Sequence, residues 1–185
     1  MPYRYTWYDR TRRFLFREIP NFFKNIWKFR KALWNHHWWD YSGTLQFIEI
    51  SVEDMSKNLK EKGNEVEISR LKKVVKMNRV VEILKNIREE RYFDIVEVEM
   101  GYSPYHENPK FVPVEDNPDF FELVDYRTEE EKELNQKYYN RINELEEQEW
   151  QELWSILRGQ DYKKFDVEKD WDEQFDGSGM KGWWD

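Results

Sequence analysis

The sequence predicts a mainly α fold: a compact helical domain of about four helices, with an N-terminal arm and a docked aromatic C-terminal tail. Three observations carry this. Apolar residues recur every three or four positions through four long segments, the spacing that puts them on one face of a helix. Aromatic residues make up 18% of the chain, with 10 Trp, 11 Tyr and 12 Phe, so much of the core must be built from rings. Pro104, Pro109, Pro113 and Pro118 crowd into one passage, which separates the first three helices from the last.

The expected boundaries are 1–19 for the arm, 20–158 for the helical domain with an irregular Pro-rich insert at 101–126, and 159–185 for an acidic aromatic tail. The arm mixes Tyr, Trp, Phe and Arg without a clear period and reads as an arm or a short strand packed on the body. Pro20 suits the first turn of a helix, where its missing N–H leaves no bond unmade. Phe22, Ile26, Phe29 and Leu33 then give the helical period, with Phe23, Trp27 and Trp34 as a second apolar stripe and Lys24, Lys28 and Lys31 as a basic face. A second helix follows through Leu45, Ile48, Val52, Met55 and Leu59, and stops at Gly63-Asn64, two residues that tolerate a left-handed cap. A third runs from about Ile68 to Arg88, with Val74, Met77, Val81 and Leu84 on its core face.

Residues 91–126 are the least legible. Val96, Val98 and Met100 alternate with Glu97 and Glu99, which suits a short strand or an acidic helix. The prolines beyond them predict extended, irregular chain. Thr128 and Glu131 have the spacing of a capping box, in which each side chain satisfies the other's backbone donor. A long acidic helix should start there and stop at Gly159, with Leu134, Tyr138, Ile142 and Leu145 inward, then Trp150, Leu153 and Leu157 after a phase shift. Beyond it the rings Phe165, Trp171, Phe175, Trp183 and Trp184 are too many for a solvated tail, despite the flexible hinge expected at Gly177-Ser178-Gly179. The tail should dock on its own domain or on a neighbour.

Composition narrows the function. The absence of cysteine excludes a disulfide framework and thiolate metal sites, and fits a reducing cytosol. The N-terminal residues lack the uninterrupted apolar core of a signal peptide. No stretch approaches the roughly 20 apolar residues of a membrane span, so no membrane partner is expected. The net charge of -8 is unevenly spread: through Arg88 there are 19 Lys or Arg against 10 Asp or Glu, and the acidic excess follows. Either the two halves neutralise each other in the fold or a homo-oligomer, or the basic half binds an anion.

The sharper form of the second reading is a small anionic, nucleotide-like ligand. Lys72, Lys76 and Arg79 line one face of the third helix and would meet phosphates, while Trp38, Trp39 or Tyr41 would stack on a base. The plain alternative has those rings in the core and those cations paired with the acidic helix. Extended nucleic acid is not expected, since the acidic half would repel its backbone. Trp183 and Trp184 are the candidates for binding a protein partner. No catalytic motif and no cofactor emerges. The adjacent His36 and His37 lack partners at metal-ligand spacing, and His106 stands alone. Glu49 and Glu53, four apart on one helix face, are the trace of a third reading, a metal-dependent nucleotide hydrolase.

The run from Trp27 to Ile87, in which Trp39-Asp40-Tyr41-Ser42 opens a helix carrying Met55, resembles a group of bacteriophage proteins without an assigned function. The closing Gly182-Trp183-Trp184-Asp185 is similar to the way many of them end. The resemblance implies a small accessory protein made in a bacterial cytoplasm, one that sequesters a host nucleotide signal, inhibits a host protein or contributes to a virion.

Overall fold

The computed structural model describes residues 7–104, 110–114 and 117–183, the side chains of 117–119 excepted. The fold is mainly α. In chain order, α1 (Trp7–Arg13) passes through a π turn (Phe14–Glu18) into α2 (Ile19–Asn35), followed by α3 (Tyr41–Lys62), α4 (Glu67–Arg88) and α5 (Tyr92–Met100). The strands β1 (Lys110–Val114) and β2 (Asn117–Val124) precede α6 (Glu129–Arg158) and the short α7 (Trp171–Gln174). The four helices expected from periodicity are α2, α3, α4 and α6. Contacts divide the chain into two units, one drawn from residues up to Arg88 and from Ser155 onward, the other Glu89–Trp154. The division falls inside the 20–158 span read as one helical domain.

In the first unit, α3 and α4 form an antiparallel pair. The Ser56 hydroxyl donates to Asn78 Oδ1 at 2.7 Å, and Arg88 Nε donates to Glu49 Oε2 at 3.0 Å, which fixes their register. Leu45, Val52 and Leu59 of α3 are buried, as are Val74, Met77, Val81 and Leu84 of α4. Asp40 starts α3 by accepting from the Ser42 backbone N–H at 2.8 Å and the Ser42 hydroxyl at 2.7 Å. The helix ends at Lys62 as expected, but Gly63 is extended (φ -63°) and the left-handed cap is not formed. Arg70 Nη1 donates to the Gly63 carbonyl at 3.0 Å instead.

The N-terminal segment corrects the sequence reading. From Trp7 it is helical, neither a strand nor an irregular arm, and α1 and the π turn bury no residue. The π turn inserts one extra residue into the 3.6-residue repeat, which is why no single period ran through this stretch.

The tail docks in cis. Trp183 is only 3% exposed, and its indole Nε1–H donates to the Gly177 carbonyl at 2.9 Å. Tyr162, Phe165, Trp171 and Phe175 pack ring on ring, with centroids 5.1–5.6 Å apart. Gly177-Ser178-Gly179, expected as a hinge, is closely packed against the rest of its unit. Gly177 has φ +88° and lies so close to α4 that a Cβ would sit 2.3 Å from the Lys72 carbonyl oxygen. The Gly179 N–H donates to the Ile156 carbonyl at 2.8 Å beside Gly159, whose φ of +79° ends α6 where expected.

In the second unit the open choice over residues 91–100 falls to helix: α5 buries Tyr92 and Val96 and closes on left-handed Gly101 (φ +73°). Pairing lies further on, where irregular chain was expected. β1 and β2 are antiparallel, from Lys110 opposite Val124 to Pro113 opposite Phe121, with a bulge at Pro113/Val114. Both strands are edges, so Pro113 and Pro118 are tolerated. The capping box forms: Thr128 N–H donates to Glu131 Oε2 at 2.7 Å, and Glu131 N–H to Thr128 Oγ1 at 3.2 Å. The buried Tyr138 hydroxyl donates to the Phe93 carbonyl at 2.8 Å, and that of Tyr92 to Glu149 Oε2 at 2.7 Å.

A methyl group at Gly177 should therefore act very differently from one at Gly101. Gly101→Ala meets nothing within 4 Å, so only its left-handed backbone opposes it, about 1 kcal/mol. Gly177→Ala carries that strain plus the clash with α4, on the order of 1–3 kcal/mol more. Thermal unfolding followed by circular dichroism checks the ranking, and equal melting temperatures would contradict the docked tail.

Candidate functional site

The structure separates the two groups of side chains read as one ligand site. Trp38 and Trp39 lie in the link between α2 and α3, 88% and 68% exposed, and their rings meet edge-on at 5.5 Å. His37 stacks on Trp39 at 4.8 Å, and Tyr41, the first residue of α3, is also exposed. The alternative that placed these three rings in the core is thus corrected.

The cations belong to α4, and Lys72 and Lys76 face the tail. The Lys72 ammonium donates to the backbone carbonyls of Asp172 and Phe175, the latter at 2.8 Å. Lys76 Nζ lies 3.4 Å from Asp176 Oδ2, and Arg79 Nη1 3.0 Å from Glu82 Oε2. Pairing with the acidic helix, the other expectation, is not what Lys72 and Lys76 do. In the antiparallel pair Glu49 stands against Lys85 and Arg88, so Tyr41 lies toward the Arg88 end of α4. Lys76 is 12 residues back from Arg88, roughly 18 Å along the axis at 1.5 Å per residue. The rings and the cations are not brought together.

Trp183, expected at a partner surface, is instead buried in its own unit, its indole N–H held by the Gly177 carbonyl. Trp184 and His106 lie outside the described residues. Glu49 is buried and ion-paired with Arg88 at 3.0 Å, while Glu53 is exposed, so the two carboxylates do not work as a pair. Among the described residues no three His, Asp or Glu side chains converge as metal ligands would.

Docking of the tail leaves a groove of about 960 Å³ on the first unit, walled by Val66, Trp171 and Phe175 and edged by Asp170 and Glu173. In its lining, one buried carboxylate oxygen, Glu65 Oε2, has no hydrogen-bond partner among the described residues. Buried Lys73 pairs with Glu65, and the Ser69 hydroxyl donates to Asp172 Oδ1 at 2.7 Å.

The feature that the sequence did not reveal is the direction in which α2 faces. At about 100° per residue, Ile19, Phe22, Phe23, Ile26, Trp27, Leu33 and Trp34 share one sector of about 140°, the expected inner face of a core helix. The packed face is another one. Ala32 is buried, Phe29 meets Phe47 with ring centroids 5.5 Å apart, and Lys28 Nζ reaches Asp54 at 2.6 Å. The broad apolar sector turns outward, leaving Trp27 69% exposed and Trp34 88%. Trp7, Phe14, Leu15 and Phe16 are exposed on the helical turns before it. The available signal was Ala32, the single small residue at which a neighbouring helix can approach closely.

Compared with protein-family models, with curated proteins and with solved structures, the chain finds no match. Among the described residues no helix is long and apolar enough to cross a membrane.

The contacts of the tail make its docking pH-dependent. Burial raises the pKa of the Asp176 carboxyl, but the Ser178 hydroxyl and backbone N–H together with Lys76 outweigh that and hold it below its ordinary 3.8. A depressed carboxyl stabilises the folded state above its ordinary pKa and ceases to do so as pH falls through the depressed value. Hydrogen exchange of residues 175–183 should accelerate below about pH 4, and the acceleration should flatten in Asp176→Asn. Lys72→Met should loosen the same residues at neutral pH, since two carbonyls lose a charged donor, each bond contributing about 1.5–3 kcal/mol.

Proposed function

We propose that this protein is a non-catalytic interaction protein whose working surface is the outward face of the helical run Trp7–Asn35. The observation that carries this is the orientation of α2: an amphipathic helix held by its Ala32–Phe29–Lys28 face, with Phe22, Phe23, Trp27 and Trp34 turned away from the body. Contiguous exposed apolar surface of this kind marks a place where something binds. Trp and Arg, here joined by a guanidinium 4.2 Å from the Trp27 ring centre at Arg30, are the residues that dominate binding energy at interfaces.

The nucleotide reading retains the exposed rings Trp38, Trp39 and Tyr41, but its phosphate contacts would have to compete with the tail for Lys72 and Lys76. An accessory protein of the phage type, acting in a bacterial host, is the setting in which we place the interaction.

Benzoylphenylalanine at position 34, installed in producing cells, should give crosslinked species on irradiation. The same group at Val167, 98% exposed but away from the apolar sector, should give far fewer. Equal yields at the two positions, or none at position 34, would refute the assignment of this face.

A further inference from the structure

We propose that the occupant of the outward face of Trp7–Asn35 is an anionic lipid surface, on which this helix lies flat; the proposal rests on the interaction reading above. The run is about 43 Å long at 1.5 Å per residue. Between residues 7 and 35 there are eight Lys or Arg and two acidic residues, a net charge of +6. Nine of the residues in the same run are aromatic, and all but Phe29 are exposed. A strongly amphipathic helix of low overall hydrophobicity, with Lys and Arg flanking a Trp- and Phe-rich face, buries that face about 5–10 Å into the boundary between headgroups and acyl chains.

Four features favour lipid over the other occupants. Lys24 and Lys31 border the apolar sector, and with Arg10, Arg12 and Arg17 they hold no ion pair among the described residues, so their charge is available to phosphate headgroups. A second copy laid on the same face would bring +6 against +6. A nucleic acid would satisfy the cations but leave Phe22, Ile26 and Leu33 in water. Rings with a polar edge, such as Trp27 and Trp34, suit the wet headgroup level, where a Leu-rich seam would suit a helix partner. That no described helix can cross a membrane concerns spanning alone, and the far face of α2 is already fixed to α3 by Ala32 and Phe29.

The test uses the full chain and sedimenting vesicles, either of phosphatidylcholine alone or with one third phosphatidylglycerol. The protein should pellet with the anionic vesicles at low salt, and at least about tenfold less with the neutral ones or in about 1 M salt, where surface charge is screened. Trp27→Ser with Trp34→Ser should abolish binding, and Lys24→Glu with Lys31→Glu should weaken it by about tenfold or more. All four side chains are more than a third exposed, so circular dichroism should show these variants folded.

Failure to pellet with anionic vesicles overturns the proposal, as does binding that either double variant leaves intact. A stable dimer lost in Trp27→Ser with Trp34→Ser, without vesicle binding, would identify a second copy as the occupant. Protein crosslinks from position 34 without vesicle binding would refute the lipid alone. Absence of both would refute the interaction reading as well.

Discussion

Helix α4 buries side chains around more than half of its circumference, from Asn86 and Ile83 on one side through Met77 and Leu84 to Val74 and Val81 on the other. One partner helix cannot cover so wide an arc, since α3 contributes a single face through Leu45, Val52 and Leu59. The first unit therefore has to bring a second layer to α4, and the tail is that layer. Lys72 is where the two meet. Its ammonium caps carbonyls that the turns around α7 leave free, and its own backbone receives Gly177 at a distance only a glycine allows. Trp183 then closes over the Gly177 carbonyl, so a ring, a glycine and a lysine hold the tail in one register.

That arrangement explains which parts of the fold were legible. The cores of α3, α4 and α6 follow in large part from their periodicity, although Ile48 and Leu134 of the marked faces are exposed and Asn135 and Ile156 are buried in α6. Thr128 and Glu131 announced the start of α6 through local chemistry alone. Residues 91–126 were opaque for physical reasons. Val96, Val98 and Met100 fit both periods over so short a stretch, and a two-stranded hairpin made entirely of edges accepts prolines that would exclude an inner strand. The π turn likewise concealed the helix from Trp7 by breaking its repeat.

The candidate site was legible in its parts and misjudged in its assembly. The rings at Trp38, Trp39 and Tyr41 and the cations at Lys72 and Lys76 stand out in the sequence, but nothing in a linear sequence shows that an antiparallel pair sends them to opposite ends. Nor does an amphipathic pattern say whether its apolar sector faces in or out. For α2 the decision rests on Ala32, small enough to let α3 approach from the side, and on Phe29 meeting Phe47 there. A protein with so many rings has more apolar surface than its two cores can take up. Part of the surplus lies along Trp7–Asn35, where positive charge accompanies it, and the rest is spread over other exposed rings such as Trp38, Phe111, Phe121 and Trp154.

The two units also differ in how they are written along the gene. Glu89–Trp154 is continuous, whereas the other unit needs the residues up to Arg88 and those from Ser155 onward. During synthesis α4 leaves the ribosome with only α3 beside it, and the carbonyl of Phe175 that Lys72 will hold is made 103 residues later. At about 5–20 residues per second, the continuous unit can complete its contacts while the discontinuous one still waits with an uncovered helix. In that interval α4 is a natural target for a chaperone, and slow translation over residues 89–154 would lengthen the exposure.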